Sequence, residues 1–161
     1  MDKRGKSVNI ENVEQRAQAL CARQEKCSAD VRLKLIHWGL PKNDAEVIIL
    51  KLVRDGFIND TRFAEIFVRE KSRFNKWGSI KIALTLRAKG IPDKIINEAL
   101  IQVEQKTEEE SLINLLTKKI KSIKAKSPYE LKSKLIRYAL SKGYKFDDVL
   151  KIATKMVKDD L

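Results

Sequence analysis

Residues 57–100, FINDTRFAEIFVREKSRFNKWGSIKIALTLRAKGIPDKIINEAL, decide the fold. Asn59 and Asp60 offer an N-cap, since a short side-chain oxygen can accept from an N–H group that the first helical turn leaves unpaired. The helix predicted to follow, over 63–74, carries Phe63, Ile66 and Phe67 on one side. Ser79 opens a second periodic segment closed by Gly90, and Pro92 opens a third that runs to about residue 103. Positive charge coincides with these helix signals. Arg69, Lys71, Arg73, Lys76, Lys81, Arg87 and Lys89 follow one another with Glu70 as the only acid between Arg69 and Gly90.

Outward from this stretch the same three-part phrase recurs. Upstream, Val13, Ala17 and Leu20 fall at helical spacing. Ser28 is placed to cap a second helix with Val31 and Leu35 inward, ended by Gly39, where a left-handed residue is wanted. Asn43 is placed to cap a third, with Ala45, Ile49 and Leu52 inward and Gly56 at its end. Downstream, the acids Glu108, Glu109 and Glu110 suit a helix start and lead into Leu112, Leu116, Ile120 and Ile123. Ser127-Pro128-Tyr129-Glu130 has the grammar of a capping box with proline at the first helical position, and that helix closes at Gly143. A last helix is predicted over 147–158.

Superposing Gly39, Gly90 and Gly143 tests for an internal repeat. Eight residues earlier stand Val31, Ile82 and Leu135; four earlier, Leu35, Leu86 and Ala139. One residue later come Leu40, Ile91 and Tyr144, and six later Ala45, Ile96 and Val149. Ten later are Ile49, Leu100 and Ala153, and thirteen later Leu52, Val103 and Met156. Every aligned position is apolar or aromatic, and the downstream set has the spacing of a buried helical face. The expectation is an all-α chain of three tandem three-helix repeats over 11–56, 57–104 and 105–161, after a disordered or extended 1–10. Repeats that touch mainly their neighbours predict an elongated arrangement, its curvature left open.

The 161 residues include 34 Lys+Arg against 22 Asp+Glu, a formal net charge of +12. That balance argues for an anionic partner: nucleic acid, an anionic membrane surface or an acidic protein. No apolar run is long enough to span a bilayer, and the first residues lack the apolar core of a secretory signal. Cys21 and Cys27 lack a second pair to complete a zinc site and are expected as reduced thiols in a cytoplasmic protein. His37 has no metal-spaced companion, and there is no phosphate-binding glycine loop or paired-carboxylate phrase. The reading is a monomeric non-enzyme with no catalytic, cofactor-binding or metal-ligating residues.

Arg69, Arg73 and Lys76 are spaced to share a helical face, and contact with about five phosphates would give a log–log salt slope of roughly −3.5 to −4.5. A second basic run, Lys118, Lys119, Lys121, Lys124 and Lys126, continues through Lys132, Lys134 and Arg137. Lysine suits diffuse attraction better than bidentate base readout. A sequence-reading helix-turn-helix is the runner-up, though no Asn/Gln/Arg-rich recognition helix stands out. Trp38 and Trp77, and likewise Phe63, Phe67 and Phe74, are expected to pack in their own repeats, with base stacking as the alternative.

The phrase Phe57-Ile58-Asn59-Asp60-Thr61-Arg62-Phe63-Ala64, then Gly78 and Leu86-Arg87-Ala88-Lys89-Gly90-Ile91, resembles the middle repeat of RecX regulatory proteins. The flanking repeats are similar to that family's outer ones mainly in helical pattern. The resemblance implies a bacterial, cytoplasmic modulator of RecA, the recombinase that polymerises on single-stranded DNA. Members lie in the groove of the RecA filament and damp its activity in recombination, repair and the SOS response, without a catalytic centre. It implies a structural role for Phe57, Asp60, Phe63, Gly39, Gly90 and Gly143, with the basic side chains left to touch the filament or its DNA. A general basic nucleic-acid binder acting without RecA is the alternative, and an adaptor for an acidic protein a third.

Overall fold

The computed structural model describes residues 9–103 and 105–159, with nine α-helices and no strand among them. They are α1 (Ile10–Arg23), α2 (Ser28–His37), α3 (Lys42–Arg54), α4 (Asp60–Arg73), α5 (Ser79–Ala88), α6 (Asp93–Ile101), α7 (Gln105–Ile120), α8 (Pro128–Ser141) and α9 (Phe146–Asp159). The expectation for 1–10 falls largely on residues outside this set. Contacts divide the chain into two compact units, one up to Phe63 and one from Ala64.

In the first unit, Val13, Ala17, Val31, Leu35, Leu40, Ala45, Ile49, Leu52 and Ile58 form one buried cluster. The Arg32–Glu46 ion pair ties α2 to α3 outside it. In the second, α7, α8 and α9 enclose Leu112, Leu116, Leu135, Ala139, Tyr144, Val149 and Ala153. Gly39, Gly90 and Gly143 all have positive φ, 97°, 77° and 90°, the left-handed conformation that ends a helix at little cost only for glycine. Around them the aligned apolar positions are buried, except Leu100, Val103 and Met156, which stay half-buried. Two of these exceptions belong to the middle repeat, where α6 stops at Ile101 after 9 residues while its counterpart α3 runs for 13. Val103 therefore lies past the helix end, and the middle repeat's core is left open there.

The caps agree with the sequence expectation at Asn59 and Ser127 and differ elsewhere. Asn59, not Asp60, caps α4, its Oδ1 accepting from Arg62 N–H at 3.0 Å. Asp60 instead reaches back to the start of α2, where its Oδ1 accepts from Ser28 N–H at 2.8 Å. Ser28 is thus the first residue of α2 and not its cap. The arrangement repeats: Glu108, in the first turn of α7, accepts from Ser79 N–H at the start of α5 at 3.0 Å. In each case the second helix of a repeat is capped by an acid from the first helix of the next. α8 carries its own cap, with Ser127 Oγ accepting from Glu130 N–H at 3.1 Å and Glu130 Oε2 accepting from Lys126 N–H at 2.9 Å. Asn43 sits one residue inside α3, whose N-cap is Pro41. Ile123 lies beyond the end of α7 yet still packs on the third repeat's core.

Candidate nucleic-acid interface

Within the second unit, the start of α5 meets the turn between α8 and α9 through backbone alone. Gly78 N–H donates to Lys142 C=O at 2.8 Å and Ile80 N–H donates to Gly143 C=O at 3.0 Å. Two free donors of the α5 N-terminus thus satisfy two carbonyls that end α8, with the partial charges of the two helix ends opposed. The approach needs glycine at both places: a Cβ on Gly78 would stand 2.3 Å from Gly143 O, and one on Gly143 would stand 2.2 Å from Lys81 Cβ.

Tyr144, buried beside this contact, donates its hydroxyl to Lys76 C=O at 2.9 Å. That bond spans the turn 74–78, in which Lys76 has φ +57°, the one non-glycine residue with positive φ among those described. Burial pushes the Tyr144 phenol up from its ordinary 10.0 to about 12, with the Glu108 carboxylate acting in the same direction. The folded value lies above the unfolded one, so the contribution of the neutral phenol is fully present below about pH 10 and is lost as pH rises to about 12. Unfolding free energy measured in urea should fall more steeply across that window for the native chain than for Tyr144→Phe.

The turn also shapes the basic cluster. α4 ends at Arg73, so Lys76 does not continue the helical face of Arg69 and Arg73, and Phe74 is 81% exposed where a core position was expected. The turn nevertheless brings Lys76 back to Arg73. Arg69 and Arg73 line a groove between α4 and the end of α6, with Glu65 beside them on α4 and Gln102 and Thr107 opposite. Arg73 and Lys76 then stand at a cavity of about 180 Å³, walled by Trp77, Leu100, Val103 and Tyr144. Ser72, Arg73, Val103 and Thr107 line both spaces.

The remaining candidates fall into other settings. Lys71 and Lys81 converge on the Trp77 ring, their ammonium nitrogens 4.9 and 4.4 Å from its centroid, while Phe67 meets the same ring edge-on at 6.3 Å. Both lysines thus engage an aromatic face, an attraction of about 0.5–1 kcal/mol at exposed sites. Arg87 is paired with Asp93 at 2.6 Å, and Lys89 is the C-cap of α5. In the second run, Lys118 and Lys119 close α7, and Lys119 stands 4.6 Å from the Tyr138 centroid with Lys142 at 5.8 Å. Lys121, Lys124 and Lys126 are exposed between α7 and α8, where Lys134 donates to Lys124 C=O at 2.6 Å and pairs with Glu130 at 2.9 Å. Of the residues singled out as structural, Phe63 is buried, Phe57 packs against the first unit's core and Asp60 serves as the cap on α2.

Sequence reasoning took Tyr144 only as a core residue and Ser79 only as a helix start, and passed over Lys142. Their contacts come from the third repeat folding back on the middle one, which no local pattern announces. No cluster of three or more metal-ligating side chains occurs among the described residues, and none of their helices is long and apolar enough to cross a membrane. Cys21 and Cys27 are not joined in a disulfide.

Residues 59–100 match the family model described as RecX, second three-helix domain, and residues 107–152 match RecX, third three-helix domain. The chain belongs to the RecX family. The regulatory protein RecX of Clostridium beijerinckii is 31% identical over 157 residues, covering 96% of this chain and 73% of that protein. That of Clostridium tetani is 35% identical over 129 residues, covering 79% of this chain but only 59% of the relative. The solved structure of RecX from Lactobacillus salivarius is 27% identical and superposes with a TM-score of 0.78 over 94% of this chain and 97% of its own. A further solved structure titled regulatory protein RecX, 23% identical with a TM-score of 0.80 over 93% of this chain and 71% of its own, shares the fold. The match to the second three-helix domain contains the three basic side chains that line the groove and the cavity, Arg69, Arg73 and Lys76.

Proposed function

We propose that this RecX-family chain regulates RecA by binding the filament that RecA forms on single-stranded DNA, and that it inhibits RecA activity in recombination and repair. The observation that carries the reading is the groove of Arg69 and Arg73 leading to Lys76, with the exposed ring of Phe74 between two of these cations in sequence. Guanidinium and ammonium groups along a cleft suit a phosphate backbone, and a solvent-facing aromatic ring suits unstacked bases, which every single strand presents. Inhibition follows if the chain binds one filament state more tightly than the others, since equal affinity for all states would shift nothing. The overall formal charge of +12 adds a long-range attraction that salt weakens.

The test is RecA's single-strand-dependent ATPase, with this protein titrated in far below RecA at constant salt. Inhibition at substoichiometric ratios is expected, and combined Arg69→Glu, Arg73→Glu and Lys76→Glu replacement should weaken it at least tenfold. The same variant should flatten the log–log salt slope of single-strand binding by about 2, corresponding to three lost phosphate contacts. Inhibition that appears only when the protein is abundant enough to coat the DNA would favour a general nucleic-acid binder acting without RecA.

A further inference from the structure

We infer that the cavity beside Trp77 and Tyr144 is a receptor for a single nucleobase of single-stranded DNA, with its flanking phosphate held by Arg73 and Lys76. The inference rests on the proposed filament-DNA reading and adds to it a pocket that recognises the base itself. At about 180 Å³ the space exceeds the roughly 150 Å³ of an engineered cavity that takes up benzene, so one flat ring fits. Its walls are suited to such a ring: Trp77, Tyr144, Ile82, Leu100 and Val103 present apolar and aromatic surface. The opening is not a packing accident at an arbitrary place. Leu100 and Val103 occupy repeat positions that are filled in the first repeat by the buried Ile49 and Leu52, and the short α6 leaves them unclosed here.

The polar groups within it narrow the ligand. Ser79 Oγ is a buried side-chain oxygen with no hydrogen-bond partner, on a residue that lines the cavity. A buried hydroxyl left unmatched carries a penalty, which marks the start of α5 as a polar spot in this apolar wall. Beside it stands the Glu108 carboxylate, one oxygen of which already accepts from Ser79 N–H. A carboxylate favours a ligand edge that donates, such as the exocyclic amine of cytosine or adenine, and disfavours thymine, which offers a carbonyl at the matching place. The backbone N–H groups at the start of α5 are engaged by Glu108, Lys142 and Gly143, so the pocket's own anion-binding capacity lies with Arg73 and Lys76 at one side. A charged rim around an aromatic interior fits a nucleotide in a strand better than it fits a free apolar molecule.

The experiment compares the full chain's affinity for a short single-stranded DNA and for an abasic strand of the same length, which keeps the phosphates and lacks the bases. Binding of the natural strand should be about tenfold tighter, with oligo-dC and oligo-dA ahead of oligo-dT. Ser111→Phe, which fills the cavity from α7 without changing charge, should weaken natural-strand binding severalfold, leaving only what the exposed Phe74 ring adds over the abasic strand, and leave the abasic affinity unaltered. Equal affinity of the native chain for the two strands, each with its salt slope intact, overturns the base receptor while leaving phosphate binding standing. Binding of neither strand overturns both this inference and the DNA contact proposed above. Because the native chain alone decides between these outcomes, a Ser111→Phe protein that fails to fold does not rescue the proposal.

Discussion

Gly143→Ala should destabilise the second unit by at least about 3 kcal/mol, combining overpacking with a left-handed backbone that a Cβ strains. The added carbon would stand 2.2 Å from Lys81 Cβ and 2.5 Å from Lys81 N, so it meets the backbone of α5, which no side-chain rotation can move aside. Relief would require separating the α5 N-terminus from the α8–α9 turn, which breaks the Gly78–Lys142 and Ile80–Gly143 hydrogen bonds. Gly90→Ala is the control. It has the same place in the repeat and φ +77°, but nothing lies within 4 Å of its Cβ, so only the conformational cost of about 1 kcal/mol applies. Urea unfolding followed by circular dichroism measures both. Equal losses for the two variants would mean that the close backbone approach contributes nothing to stability.

Leu35→Ala should cost about 2–5 kcal/mol, the usual range for truncating a fully buried leucine. Its side chain is fully buried in the first unit's core, and its carbonyl accepts from Leu40 N–H at 3.1 Å, so the site sits where α2 turns back toward α3. The third repeat already has alanine at this register position, Ala139, yet keeps a closed core. There the next aligned residue is Tyr144, where the first two repeats have Leu40 and Ile91, and a larger side chain at one place accompanies a smaller one at the other. The first repeat has no such compensation, so the full cavity cost is expected. Adding Leu40→Tyr to Leu35→Ala should recover part of the loss, whereas Ala139→Leu alone should overpack the third repeat by about 1–3 kcal/mol.

The repeat itself was legible because glycine and the apolar positions answer to local rules, a left-handed helix end and a periodic buried face. Ser127 and Glu130 were readable for the same reason, since that cap closes within its own first turn. Asp60 and Glu108 were not, because each accepts from a backbone N–H about thirty residues earlier in the chain, at Ser28 and Ser79. The basic cluster was visible as composition but not as geometry. Arg69 and Arg73 share a groove as their spacing on one helix suggests, whereas Lys76 joins Arg73 through a left-handed turn, and Phe74 is turned out to solvent by the same break. The cavity left no trace in the sequence: Pro92 opens α6 at the repeat position where Pro41 opens α3, and only the early end of α6 leaves two of the six register positions half-open.

The borrowed caps give the array a polarity that its repeat pattern alone would lack. A repeat whose second helix waits for an acid from downstream is an unfinished sentence, completed only when the next first helix arrives with Asp60 or Glu108 in place. A repeat with Ser127 and Glu130 punctuates itself. Additional copies of the first kind can therefore be spliced in ahead of an existing repeat, each new junction supplying the carboxylate its predecessor needs, whereas a self-capped repeat asks nothing of what lies downstream. Lengthening such a protein by duplicating repeats of the first kind is thus chemically permitted.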